Sequence, residues 1–146
     1  MNDYEIINSS KDIFISEIHE PFQNELRFII TIGQVSTFEE DVFIGEAKLG
    51  PMRRIEINEA SPQFTIYFDD YICYNVINES FESLGGDNFI GNNIRIYSNS
   101  NFLEYIRRDT FATVDYPGEF KHYCFISHNH LINIATVSQP KIDRIK

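Results

Sequence analysis

A mainly β (α+β) domain is predicted, either an antiparallel β-sandwich or a partly closed barrel, with one short helix near residues 100–108. Three observations predict it. Hydrophobicity alternates with period two along most of the chain, the signature of strands with one buried face. Turn-forming pairs punctuate that alternation at Glu20-Pro21, Gly50-Pro51, Ser61-Pro62, Gly85-Gly86 and Tyr116-Pro117-Gly118. The chain has 146 residues, about the length of one domain, so residues 1–146 read as a single unit able to bury a core without disulfides or metal.

The clearest strand runs from Phe64 to Asn78. Its even positions are Phe64, Ile66, Phe68, Asp70, Ile72, Tyr74 and Val76. Successive strand side chains point to opposite faces, so this set is expected inward. Asp70 interrupts it, and a bend or bulge at Asp69-Asp70 would spare the acid from burial. Glu25–Gly33 is a second strand, with Leu26, Phe28, Ile30 and Ile32 inward. Asp12–His19, Val42–Leu49, Arg53–Asn58, Asn93–Tyr97, Phe120–Ser127 and Ile132–Ser138 complete the strands. The expected core contains Phe28, Ile30, Phe64, Ile66, Phe68, Ile72, Tyr74 and Val76. Residues Glu82 to Asn93, with Gly85, Gly86, Gly91 and three Asn, read as a mobile surface loop.

One segment departs from period two. Ser98, Ser100 and Asn101 offer N-cap oxygens, and Phe102, Leu103 and Ile106 share one helical face. Arg107 and Arg108 fall in the last turn, where cations suit the helix dipole. The helix is too short to persist alone and must dock on the sheet.

Apolar residues make up 42% and charged residues 23%, which disfavours disorder. Twelve Lys+Arg against 22 Asp+Glu leave a net charge of -10. That balance argues against nucleic acid and against an anionic membrane surface as partners, since both demand clustered cations. The longest apolar runs are far short of a membrane span. The start, Met1-Asn2-Asp3-Tyr4-Glu5, lacks the basic region of a secretory signal. A cytoplasmic location is therefore expected, with Cys73 and Cys124 reduced and structural. Residues 1–50 hold 3 basic and 10 acidic groups, against 9 and 12 in the rest. Glu39-Glu40-Asp41 concentrates that acidity. It reads as a solvated loop or, more sharply, as a landing patch for a basic partner.

Catalytic motifs are sparse. His128-Asn129-His130 is the one close histidine pair, but a turn is expected there and no third metal ligand is in view. His122 shares a strand face with Phe120, Cys124 and Ile126. Thiol and imidazole two residues apart are awkwardly distant for a nucleophile and its base. Asp69 and Asp70 point oppositely on a strand and cannot cooperate without a bulge. Gly85-Gly86-Asp87-Asn88-Phe89-Ile90-Gly91 lacks the Lys-Ser/Thr of a phosphate loop. No cofactor and no metal are expected.

Several phrases in residues 64–142 carry a resemblance. They are Phe68-Asp69-Asp70-Tyr71-Ile72-Cys73-Tyr74-Asn75-Val76-Ile77-Asn78-Glu79-Ser80-Phe81, Ile96-Tyr97-Ser98-Asn99-Ser100-Asn101-Phe102-Leu103-Glu104-Tyr105-Ile106 and Tyr116-Pro117-Gly118-Glu119-Phe120-Lys121-His122-Tyr123, followed by Asn129-His130-Leu131-Ile132-Asn133-Ile134 and Pro140-Lys141-Ile142. In this order they resemble an uncharacterised family of small bacterial proteins that look like immunity proteins of polymorphic-toxin systems. Ile77 stands where a basic residue often precedes Asn-Glu-Ser in that family. The resemblance implies a non-enzymatic binding protein that neutralises a cognate toxin, such as a cationic nuclease. Glu39, Glu40, Asp41, Asp69 and Glu79 are the expected partner-binding carboxylates. The alternative is a small metal-dependent or Cys/His hydrolase using His122, His128 or His130.

Overall fold

The computed structural model describes residues 1–82 and 88–146; the turn expected at Gly85-Gly86 and part of the loop expected over Glu82–Asn93 lie outside them. Two antiparallel sheets form the body. The first has four strands in the order β1 (Ile13–His19), β2 (Leu26–Ile32), β5 (Gln63–Phe68) and β11 (Lys141–Arg144). The second has five, in the order β6 (Cys73–Asn78), β10 (His130–Thr136), β9 (Lys121–Ile126), β8 (Ile94–Tyr97) and β7 (Phe89–Gly91). A third, two-stranded sheet pairs β3 (Gln34–Ile44) with β4 (Ala47–Glu56).

The sandwich follows from where the alternation puts its large side chains. Ile13 and Ile15 of β1, Leu26, Phe28 and Ile30 of β2, and Phe64, Ile66 and Phe68 of β5 all face inward. They meet Ile94 of β8, Tyr123 and Phe125 of β9, and Ile132 and Ile134 of β10 in one cluster. Phe28 and Phe68 both approach Phe125 edge-on, with ring centroids 5.0 and 6.1 Å apart. Edge-to-face rings add modestly to the burial term. Neither sheet closes on itself among the described residues, so the architecture is a sandwich and not a barrel.

The expected strand Phe64–Asn78 is two strands in different sheets. Its break falls at Asp69-Asp70, both exposed, as the acid in the apolar set requires. Beyond it, Thr136 Oγ1 donates to the Asp70 carbonyl, and the Tyr71 and Tyr74 hydroxyls both donate to the Glu20 carboxylate. The inward set changes partners across this corner. Phe64, Ile66 and Phe68 are fully buried, whereas Ile72 packs toward α2 and Tyr74 is half-buried. Val76 is 41% exposed, because β6 is the edge of its sheet and overhangs the core. It does not belong to the core as expected.

The helix α2 (Asn101–Asp109) forms where its caps predict. Ser100 Oγ accepts the Leu103 amide, and Leu103 and Ile106 are buried against Phe120 and Ala135 on the outer face of the second sheet. Other elements lie outside the expected set, including most of β3. Helix α1 (Asp3–Ser9) carries a reciprocal cap, with Asn2 Oδ1 accepting the Glu5 amide at 2.8 Å and Glu5 accepting the Asn2 amide at 3.0 Å. Strand β11 pairs with β5, and β7 occupies part of the segment expected as a loop. Val42–Leu49, expected as one strand, contains the β3–β4 turn, with Gly45 at φ +61°. Gly50-Pro51 is no turn. It lies within β4, where Gly50 at φ +91° accommodates a shift in register opposite Asp41 and Phe43.

Both cysteines are free. Cys73 on β6 and Cys124 on β9 are separated by β10, which pairs with both strands. No helix among the described residues is long and apolar enough to cross a membrane.

Candidate functional site

β2 and β5 are adjacent and antiparallel in the first sheet. The 30 residues that link them fold into the β3–β4 hairpin, which projects as an arm. At its root the Gly33 amide donates to the Asp12 carbonyl at 2.7 Å, and a Cβ on Gly33 would fall 2.8 Å from Ile55 and 3.0 Å from Phe14. A larger residue at this crossing would push the Ile55 and Phe14 side chains aside.

Beyond the root both faces of the arm meet solvent. Val35, Phe38, Phe43, Ile44, Leu49 and Met52 on the arm, with Ile55 at its root and Ile57 just past β4, are between 44% and 76% exposed. A two-stranded ribbon is marginal in water unless something packs on it. These eight side chains leave a large apolar surface in water, divided between the two faces of the ribbon.

The expected partner-binding carboxylates separate into three places. Glu39, Glu40 and Asp41 are together on β3, on a strand and not in a loop. Each has a cation across the ladder: Glu39 with Arg53 at 3.8 Å, Glu40 with Arg54 at 3.2 Å, Asp41 with Lys48 at 3.5 Å. Glu39 and Asp41 point to one face of the arm and Glu40 to the other, as strand alternation demands. Asp69 sits at the far end of β5 from the arm, where its carboxylate accepts the Ser138 hydroxyl. Glu79 begins a short 3-10 turn after β6, its amide donating to Asn129 at 3.3 Å. The five do not form one acidic patch.

The histidines are tied to structure. His122 is buried between the rings of Tyr97 and Phe102, each 4.7 Å away. Asn133 Nδ2 donates to Asn75, which leaves Asn133 Oδ1 to accept from His122 Nε2 at 2.7 Å. His122 Nδ1 then accepts the Ser100 hydroxyl at 2.8 Å, while Ser100 Oγ accepts the Leu103 amide. The imidazole is thus neutral, and burial pushes its pKa below the ordinary value. This chain of bonds fastens the start of α2 to the sheet. Cys124 shares the outer face, but burial pushes its thiol up to about 12. The thiolate that nucleophilic attack requires is therefore scarce at neutral pH.

His128 reaches Asp12 Oδ1 at 2.7 Å and stacks on Phe14, while His130 Nδ1 meets the Ile15 carbonyl at 3.2 Å. The pair joins the β9–β10 turn to β1. Among the described residues no three His, Cys, Asp or Glu side chains gather as metal ligands would.

The apolar arm escaped the sequence reading. Its one legible signal is charge order: Glu39-Glu40-Asp41 followed, across Gly45, by Lys48 and Arg53-Arg54. Opposite signs mirrored about a glycine suit a hairpin laced by cross-strand pairs. Compared with known family models, curated proteins and solved structures, the chain matches none.

Proposed function

We propose that this chain is a non-enzymatic binding protein, an immunity protein of the kind its resemblance implies, and that the β3–β4 arm is what it presents to a cognate toxin. One observation carries this reading: seven large apolar side chains stand exposed on a ribbon that projects from the packed sandwich, with Ile57 exposed just beyond it. Leaving them in water is unfavourable by about 25 cal/mol for each Å². A partner that covers them recovers that free energy, and rigid aromatic anchors are the usual centres of such interfaces. Phe38 and Phe43, on opposite faces of the arm by strand alternation, are the anchors, so the partner grips the ribbon from both sides. The ion pairs Glu39–Arg53, Glu40–Arg54 and Asp41–Lys48 hold the arm's register and rim the contact.

The test is co-expression with a toxin encoded beside this chain's gene, followed by measurement of growth and complex formation. Phe38→Ser/Phe43→Ser should retain the parent's melting temperature, because both side chains are exposed. It should lose protection of the cell. Full protection by that folded variant would overturn the role of the arm, and failure of the parent to bind any toxin encoded nearby would overturn the immunity reading.

A further inference from the structure

A groove separate from the arm opens beside α2. It has a volume of about 560 Å³, a size typical of small-molecule sites. Phe89 and Ile90 of β7, Leu103 of α2, and Val114 and Phe120 supply apolar walls. Arg107, Lys121 and Glu119 also line it. Arg107 and Lys121 make no ion pair among the described residues. The neighbouring Arg108 is neutralised by Asp109 at 2.8 Å. The Arg107 guanidinium lies over the Phe120 ring, 5.9 Å from its centroid, so its charged head borders the apolar wall directly.

We propose that this groove binds a small amphipathic carboxylate, its apolar body against Phe89, Ile90, Val114 and Phe120 and its anionic end between Arg107 and Lys121. The lining favours that class over its neighbours. A neutral apolar molecule would gain nothing from either cation. A dianion such as a phosphate ester would face Glu119 and the field of a chain with net charge -10. A monoanion takes the two cations with less repulsion and still buries its body. Arg offers a planar fork that suits a carboxylate, and Lys adds a point charge beside it.

The experiment titrates the full chain with octanoate, 1-octanol and octylammonium, following backbone amide shifts. Octanoate should shift the amides of Ile90, Ser98 and Lys121 saturably, with octanol about tenfold weaker, as expected for the loss of a charge-assisted contact. Octylammonium should be weakest. Arg107→Gln/Lys121→Gln should bring octanoate to the level of octanol while the rest of the spectrum is unchanged. Three results overturn the proposal: no saturable shift with octanoate, octylammonium binding as tightly as octanoate, or shifts confined to residues 34–57 of the arm.

Discussion

Phe68→Ala tests whether the two sheets are held together at the point where β5 ends. Phe68 is fully buried, pairs with Leu26 in the register of β2, and places its ring 5.5 Å from Tyr123 and 6.1 Å from Phe125 in the opposite sheet. Truncation removes the transfer free energy of the ring and leaves a cavity between sheets that backbone pairing prevents from collapsing. The expected cost is about 3–5 kcal/mol. Against a total stability of roughly 5–15 kcal/mol for a domain, that is a large fraction. Val76 stood in the same alternating set but is 41% exposed at the sheet edge. Val76→Ala should cost under about 1 kcal/mol, in the range of surface changes. Urea unfolding with linear extrapolation measures both, and the midpoint should move while the slope stays constant. Equal losses for the two variants would refute the division between core and edge. A Phe68→Ala protein within about 1 kcal/mol of the parent would refute the packing of the two sheets through this ring.

Further outcomes follow from two buried groups. His122 has a pKa lowered by burial, so the unfolded chain takes up its proton at higher pH than the native one. Stability should therefore be full well above a pH of about 6.5 and fall as the pH drops below it. His122→Gln should flatten that slope in urea midpoints measured from pH 8 to 5, and an unchanged slope would sink the assignment. Cys124, its thiol pushed up to about 12, should resist Ellman's reagent until the protein unfolds. Cys124→Ser should preserve the proposed toxin neutralisation wherever it folds; a folded Cys124→Ser protein that loses an activity the parent shows would restore the thiol as a nucleophile.

Legibility tracked burial on one face. Phe64 to Phe68 and Leu26 to Ile30 could be read because one face is dry and register decides which residues occupy it. The same rule extended too far at Val76, since alternation reports which way a side chain points and not whether another sheet lies above it. The arm could not be read that way. With solvent on both faces, Phe38, Phe43, Ile44 and Leu49 need obey no period, and the turn at Gly45 was lost inside an apparent strand from Val42 to Leu49. Helix α1 did carry a local mark, Asn2 and Glu5 at capping-box spacing, but seven residues with Ile7 as the one buried side chain make a weak periodic signal. Strand β11 is weaker still, with only Ile142 facing the core. For the candidate site, the acids on β3 were visible as a run. Their partners were not, because pairing Glu40 with Arg54 requires the hairpin to be known first.

That pairing changes what salt should do to association with a basic partner. Residues 34–57 contain five carboxylates and three cations, so the arm carries only a small part of the net -10. The body holds the remainder and supplies the long-range field that speeds encounter. Screening acts over about 8 Å at physiological salt, so the on-rate should fall as salt rises. Glu39→Gln/Glu40→Gln/Asp41→Asn removes charges already compensated by Arg53, Arg54 and Lys48. The triple variant should slow association modestly and keep most of the salt dependence. Exposed pairs contribute about 0–1 kcal/mol each, so its stability should drop by little. Phe43→Ser should act differently, leaving the on-rate nearly constant and raising the off-rate, because an anchor acts after encounter. Stopped-flow association at several salt concentrations separates the two. If the triple variant makes the on-rate independent of salt, the run Glu39-Glu40-Asp41 is the landing patch itself and the body's charge is a bystander.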